Sequence, residues 1–329
     1  MASASRGFIP VLQAATDTRP DEIDTLIAAE AVATALASLG YAAEIVALDL
    51  DLRAVEALKE RRPHVVFNLV DAVRGDGRLA PMVPALLDAL KLPYTGAPTA
   101  AWLDTLSKVA TKLKLEHAGL LTPPWSETGS ALDPDAKFIV KPVWEHGSLG
   151  IDASSVVRGR DVARTIAERN ARWSTQHFAE GYIPGREFNV ALLDGGSGVE
   201  VLPIAEILFQ CVGEGTPEIV GYDAKWAPDS AAYLGTPRRF GVERDEPILA
   251  AELRRLALAS WALFGLSGYA RVDFRVDGAG RPFILEVNVN PCLSPDAGFA
   301  AAASEAGLAY ADMVSRIVDA ARDVLQASA

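Results

Sequence analysis

Gly268-Tyr-Ala-Arg271-Val-Asp273-Phe274-Arg-Val276, the turn Asp277-Gly-Ala-Gly280, then Arg281-Pro-Phe-Ile-Leu285-Glu286-Val-Asn288-Val-Asn290-Pro291 reads as two strands joined by a hairpin. Alternation puts Val272, Phe274 and Val276 on one face and Arg271, Asp273 and Arg275 on the other. On the second strand Glu286, Asn288 and Asn290 share a face, with Leu285, Val287 and Val289 opposite. One polar face then carries arginine, two carboxylates and two amides. Such hard oxygen donors suit Mg²⁺ bridging nucleotide phosphates. An adjacent arginine can stabilise charge on a transferred phosphoryl group. The solvated face of an ordinary antiparallel hairpin explains the same pattern equally well, so the rest of the chain must arbitrate.

Composition narrows the choices. The 329 residues suggest two or three domains. Half are hydrophobic and 22% are charged, which allows a sizeable core in a soluble globular protein. A net charge of −12 argues against nucleic acid or an anionic membrane as the main partner. Cys211 and Cys292 form no disulfide framework, so a reducing cytoplasm is expected. No apolar run reaches transmembrane length. The apolar segment after Arg6 is short and broken by Pro10 and Gln13, and reads as a strand rather than a signal peptide.

From the N-terminus the pattern alternates. Strands are expected at 7–12, 43–48 and 65–69, and helices at 20–39, 52–61 and about 80–90. This βαβ rhythm implies a parallel sheet with ligand loops beyond the carboxyl ends of its strands. Asn68, Asp71 and Arg74-Gly-Asp-Gly77 lie at such an end, although a plain tight turn is the simpler reading of the glycines. One helix should carry Lys108 and end by Gly119. Phe138-Ile-Val-Lys141-Pro is a strand, followed by Gly147-Ser148-Leu-Gly150 and a second strand from Ile151. A Gly/Ser loop of this kind can fold over phosphates through backbone N–H groups. It is no Walker loop, and it opens no helix. Further strands are expected at 175–180, 188–193 and 201–207, with Glu180 and Glu187 flanking a turn. The loop-rich stretch 213–241, holding Tyr222-Asp-Ala-Lys225-Trp226, reads as a lid. Helices should span 246–264 and 309–325. His64, His117, His146 and His177 show no metal spacing. A nucleophile elbow is absent as well.

Together these pieces resemble the ATP-grasp superfamily and, within it, the D-alanine–D-alanine ligase family. The resemblance rests on Leu-Ser-Lys108-Val-Ala-Thr-Lys, Ile-Val-Lys141-Pro…Gly-Ser148-Leu-Gly, Glu180-Gly-Tyr-Ile-Pro-Gly-Arg-Glu187-Phe-Asn-Val, Tyr-Asp-Ala-Lys225, Arg271-Val-Asp273-Phe and Leu-Glu286-Val-Asn288. It implies an α/β ATP-grasp fold: a parallel-sheet N-terminal domain at 1–97 and two α+β subdomains, 98–178 and 179–329, clasping ATP. Lys108 and Lys141 would then touch phosphates or the adenine edge, and Ser148 would cover the β- and γ-phosphates. Glu180, Gly181, Ile183 and Glu187 would hold adenine and ribose, with Phe274 beside the nucleotide. Lys225 would reach the γ-phosphate. Asp273, Glu286 and Asn288 would bind two Mg²⁺ ions, with Mn²⁺ as a substitute, and Arg271 would steady the transition state. The implied protein is a cytoplasmic homodimer that takes ATP and small amino acids and joins two of them through an acyl phosphate. A ligase of specialised metabolism using other amino acids, or a catalytically silent nucleotide-binding protein, are the alternatives.

Five positions depart from the family pattern. Leu12-Gln-Ala-Ala-Thr-Asp-Thr-Arg19 replaces its first-loop signature, with Glu22 the nearest following glutamate. Val70-Asp71 replaces its His-Gly. Gly147 replaces the first serine of the glycine loop, and Trp226 the lid tyrosine. Asn290-Pro-Cys292-Leu follows Asn288 in place of Ser-Pro-Gly-Met. All five fall where amino-acid substrates, not ATP, are expected.

Overall fold

A computed structural model describes residues 6–15, 19–50, 53–145, 147–195, 198–210, 213 and 215–327. The expectations that touch Thr16, Asp17, Thr18, Leu52, His146 and Cys211 lie outside these residues.

The chain opens with β1 (Phe8–Ala14), α1 (Pro20–Ser38), β2 (Ala42–Leu48), α2 (Arg53–Arg61), β3 (Phe67–Asn68) and α3 (Met82–Leu90). Pro20 starts α1 where its missing N–H costs nothing. The three strands form a parallel sheet in the order β2-β1-β3. The third is shorter than expected, and Val66 just before it bridges to Tyr94 on its other side.

The expected helix around Lys108 is two helices, α4 (Thr99–Leu106) and α5 (Lys108–His117). Ser107 stands between them in extended backbone, and its hydroxyl accepts from the Ala110 N–H at 3.2 Å. Serine favours this cap over a helix interior. Lys108 thus begins a helix.

β4 (Trp125–Ser126), β5 (Lys137–Pro142), β6 (Val156–Arg158) and β7 (His177–Gly181) make an antiparallel sheet in the order β4-β7-β5-β6, with α6 (Val162–Trp173) packed on it. The strand expected from Ile151 starts at Val156. Asp152 and Ser155 form a capping box that winds Ala153–Ser155 into a 3₁₀ turn.

The remainder comprises β8 (Gly185–Asp194), β9 (Val199–Val201), β10 (Ala205–Ile207), α7 (Tyr222–Trp226), α8 (Ala231–Leu234), β11 (Arg238–Arg239), α9 (Val242–Asp245), α10 (Pro247–Phe264), β12 (Tyr269–Asp277), β13 (Pro282–Asn288), α11 (Gly298–Glu305) and α12 (Tyr310–Ala327). Its sheet runs β11-β10-β8-β12-β13, with β9 against β8. The single strand expected at 201–207 is split in two around Pro203, which has no N–H for the ladder.

One core joins α1 and β1 to α12, Tyr269 and Phe299, so the C-terminal helix closes over the N-terminal sheet. A second packs α10 on β8 and β12 through Phe188, Val190, Val272 and Phe274. Each fully buried side chain of this size contributes roughly 1.5–3 kcal/mol. Between these cores, the polar faces of β12 and β13 open into a cleft. Among the described residues, no helix is long and apolar enough to cross a membrane.

Candidate active site

The hairpin sets the geometry. β12 and β13 pair Arg271 with Asn288 and Asp273 with Glu286. The register then slips, so that Phe274 faces Ile284 and Leu285 bulges. Strict alternation placed Leu285 on the core face; the bulge turns it onto the cleft wall. Phe274 corrects a second expectation. It is fully buried in the core and does not line the cleft, as its place on the apolar face of β12 requires.

The other expected site residues converge on one cleft of about 530 Å³. Lys141, Glu180, Gly181, Ile183 and Glu187 form one end of its wall. Lys108, Ser148, Lys225, Arg271, Asp273, Glu286 and Asn288 line the rest.

Glu180 is 1% exposed and gripped by two lysines. Lys112 Nζ lies 2.6 Å from one carboxylate oxygen, and Lys141 Nζ donates to the other. Burial alone would raise the Glu180 pKa, but the two ammonium groups outweigh it and lower it to about 2. Lys112 was not expected in the site. It is fully buried, four residues past Lys108 on α5, and it donates to Thr122 Oγ1 at 2.7 Å. Thr122 donates to the Ile284 carbonyl at 2.8 Å, which ties this clamp to the hairpin. Burial lowers the pKa of Lys112, while Glu180 pulls it back up.

Burial also lowers the pKa of Lys108, against the pull of Glu286, whose Oε1 is 4.0 Å from its ammonium. For Lys225, burial and then Arg271 lower it. Arg271 makes a forked pair with Asp273, at 2.7 and 2.8 Å. Burial opposes its charge, but Asp273 outweighs this and raises its pKa. Asn189 donates to the same carboxylate at 2.8 Å.

Asp273 and Glu286, opposed in register, and Asn288 beside them offer only oxygen ligands, which fit a hard divalent cation. Among the described residues, no three His, Cys, Asp or Glu gather to hold a metal unaided. The remaining ligands would come from phosphate oxygens and water, as for Mg²⁺ on a nucleotide.

The glycine loop and lid are closed on one another. Ser148, in the left-handed region at φ 60°, donates to the Val220 carbonyl at 3.0 Å. Trp226 Nε1 donates to the Gly147 carbonyl at 2.7 Å. The N–H of Tyr222 reaches the Ile151 carbonyl at 3.1 Å.

Beyond Asn288 the cleft is lined by Asp24, Thr25, Asp71, Cys292 and Arg238. Glu22 does not line it; that residue pairs with Arg19 at 3.1 Å. Asp24, one helical turn before the buried Ala28, takes the wall position instead. Its carboxylate accepts from the Cys292 thiol at 2.7 Å and the Ser294 hydroxyl at 2.8 Å. Burial and then Asp24 push the Cys292 pKa up to about 12. Val70 is core, and Arg74-Gly-Asp76 is a turn leading into a 3₁₀ turn at Gly77–Leu79, which Asp76 caps by accepting from the Arg78 N–H. His177 is structural, held by Asn170, with its pKa lowered by burial.

Residues 136–319 match the family model described as D-ala D-ala ligase C-terminus. A D-alanine–D-alanine ligase of Moorella thermoacetica is 32% identical over 309 residues, covering 90% of this chain and 94% of that one. An uncharacterized protein of Sinorhizobium fredii is 32% identical over 265 residues, covering 79% of this chain and 75% of its own length. Among solved structures, a D-alanine–D-alanine ligase of Bacillus anthracis complexed with ATP superposes with a TM-score of 0.76 at 20% identity, covering 98% of this chain and all of the other. That likeness fixes the fold, ATP-grasp, with the N-terminal parallel sheet and two antiparallel sheets described above. With the sequence matches beside it, the chain belongs to the D-alanine–D-alanine ligase family and is an ADP-forming ligase that makes a peptide bond.

Proposed function

We propose that this ligase activates one small amino acid as its acyl phosphate and joins it to a second, and that D-alanine is not the preferred substrate of both positions. The observation that carries the reading is the convergence of Lys108, Lys141 and Lys225 with Arg271, Asp273, Glu286 and Asn288 on one cleft. Residues 1–97 would present the amino acids, while 98–178 and 179–329 clasp the nucleotide.

In this reading Lys108 and Lys141 hold phosphate or the adenine edge, and Ser148 with its neighbouring amides covers the β- and γ-phosphates. The backbone at Gly181 and Ile183 holds adenine, and Glu187 the ribose. Glu180 acts by fixing Lys112 and Lys141. Asp273, Glu286 and Asn288 would hold two Mg²⁺ ions, or Mn²⁺; the metal supplies neutralisation of phosphate charge when bound. A substrate carboxylate oxygen attacks the γ-phosphorus, and the β–γ bridging oxygen leaves with ADP. Arg271 and Lys225 steady the phosphoryl oxygens. The amine of the second amino acid then attacks the acyl carbon, sheds a proton, and phosphate departs. The lid and glycine loop exclude water, which would hydrolyse the acyl phosphate.

Two of the three proteins named above are D-alanine–D-alanine ligases, yet the amino-acid end of this cleft departs from that family's pattern. Gly147 has no hydroxyl, and the one N–H of the Trp226 indole is already given to the Gly147 carbonyl. A site that has lost its polar partners for a substrate discriminates against it strongly. A cytoplasmic homodimer is the proposed form. The test is incubation with Mg-ATP and pools of L- and D-amino acids, reading ADP release and new product masses together. An amide product from a pair other than two D-alanines is expected. D-alanyl-D-alanine formed faster than every other product would refute the substrate reading; ATP binding with no product from any pool would refute small amino acids as the substrate class.

A further inference from the structure

Arg275 follows Asp273 by two residues on β12 and is only 4% exposed. A buried guanidinium is costly unless it is paired and hydrogen-bonded. This one is shared by three parts of the cleft. It donates to the Gly185 carbonyl at 2.7 Å through Nη1 and to the Glu218 carbonyl through Nη2. Its Nε stands 3.5 Å from Glu187 Oε2, and Glu187 is its direct partner in the β8–β12 register. The guanidinium carbon lies 5.0 Å from the ring centre of Phe209 and 5.9 Å from that of Tyr182. The Tyr182 hydroxyl accepts from the Glu218 N–H at 3.0 Å. Both backbone groups of Glu218 are therefore fastened to the wall that carries Glu187, four residues before α7 begins.

We infer that Arg275 is a positioning residue that joins the ribose-holding carboxylate to the root of the lid. One guanidinium keeps Glu187 aimed and holds Glu218 where the lid can reach Gly147 and Ser148. The inference rests on the nucleotide reading proposed above. Burial raises the pKa of Glu187 and Arg275 pulls against it, so losing the guanidinium removes a partner that favours the charged carboxylate. Lysine would keep a charge but not the planar fork that serves three acceptors.

The test uses the full chain with Mg²⁺, as wild type, Arg275→Met and Arg275→Lys. Calorimetry measures binding of ATP and of 2′,3′-dideoxy-ATP, and hydrogen exchange follows residues 215–226. Arg275→Met should weaken ATP binding roughly 10- to 100-fold, the scale of hydrogen bonds to a charged group. Binding of the dideoxy nucleotide, which lacks the ribose hydroxyls but keeps the phosphates under the lid, should weaken clearly less, relative to its own wild-type value. ATP-induced protection of 215–226 should vanish. Arg275→Lys should recover part of the ATP affinity without recovering lid protection. Equal losses for both nucleotides, or full lid protection in Arg275→Met, would overturn the inference. Where the methionine variant does not fold, the lysine variant decides: wild-type lid protection in it overturns the inference. Absence of ATP binding in the wild type would instead remove the nucleotide reading on which it rests.

Discussion

Glu180 and Asp24 are carboxylates in the wall of the same cleft, held by opposite means. Glu180, at the end proposed for the nucleotide, is buried between two ammonium groups. Asp24, on α1 at the end proposed for the amino acids, is half-buried and accepts from a thiol and a hydroxyl, both neutral. Among the described residues, no cation pairs with it. At the Glu180 end the carboxylate is thus fully paired, and the two ammonium groups leave one positive charge over, which suits the phosphates proposed to bind there. At the other end, in the function proposed above, the Asp24 carboxylate stands where the ammonium of an amino acid could meet it. Fixed charge pairs resist change, because removing one partner strands the other. Neutral donors can be exchanged at lower cost.

The comparison breaks first at the hairpin. Asp273→Ala or Glu286→Ala should reduce turnover by about 100- to 1000-fold, the scale for one charge-stabilising group, with the fold intact. Near-normal steady-state kinetics with Mg-ATP in both variants would remove the metal assignment. Next in size, Lys112→Met should destabilise the protein by about 2 kcal/mol, since Lys141 still pairs with the stranded Glu180. Thermal melts would read this, and an unchanged midpoint would show that the clamp is not a source of stability.

The clamp also has a pH signature. The folded Glu180 pKa of about 2 lies below its ordinary value of 4.5. A depressed carboxyl stabilises the fold above the unfolded value and loses that contribution as pH falls through the folded one. Wild-type stability should therefore decline from about pH 4.5 toward pH 2, and Lys112→Met should flatten that decline.

Smaller effects sharpen the amino-acid end. Gly147→Ser with Trp226→Tyr should raise kcat/KM for D-alanine about tenfold, by restoring hydroxyls over the substrates. No gain would mean that Asp24, Cys292 or Arg238 sets the preference. Smallest, Asp24→Asn should speed alkylation of Cys292 severalfold at neutral pH, by removing the charge that helps hold its thiol near 12. Peptide mapping separates Cys292 from Cys211, and equal rates would show that burial alone protects the thiol.

Much of the cleft wall was legible in the sequence, because its residues sit on strands whose alternation assigns faces and whose motifs keep their order. Arg271, Asp273, Glu286 and Asn288 needed only a period of two. Leu285 was misplaced because a bulge is a local register slip that alternation does not encode. Lys112 escaped although its position, one turn after Lys108, was visible; a lysine on a buried helix face has a partner that only tertiary contact reveals. Asp24 escaped for a related reason. The family pattern points to a glutamate after the first loop, whereas the helix that begins at Pro20 turns Asp24 with Ala28 toward the cleft. The break at Ser107 could have been found, since serine before a run of helix formers is a capping signal.

The bonds from Trp226 to Gly147 and from Ser148 to Val220 join two loops to each other, not to a rigid wall. Neither loop can swing out without breaking the other's hold. ATP entry, ADP exit and release of the dipeptide would then share a single opening event. A change in either loop would appear as a change in the pace of the whole cycle, even where phosphoryl transfer itself is untouched.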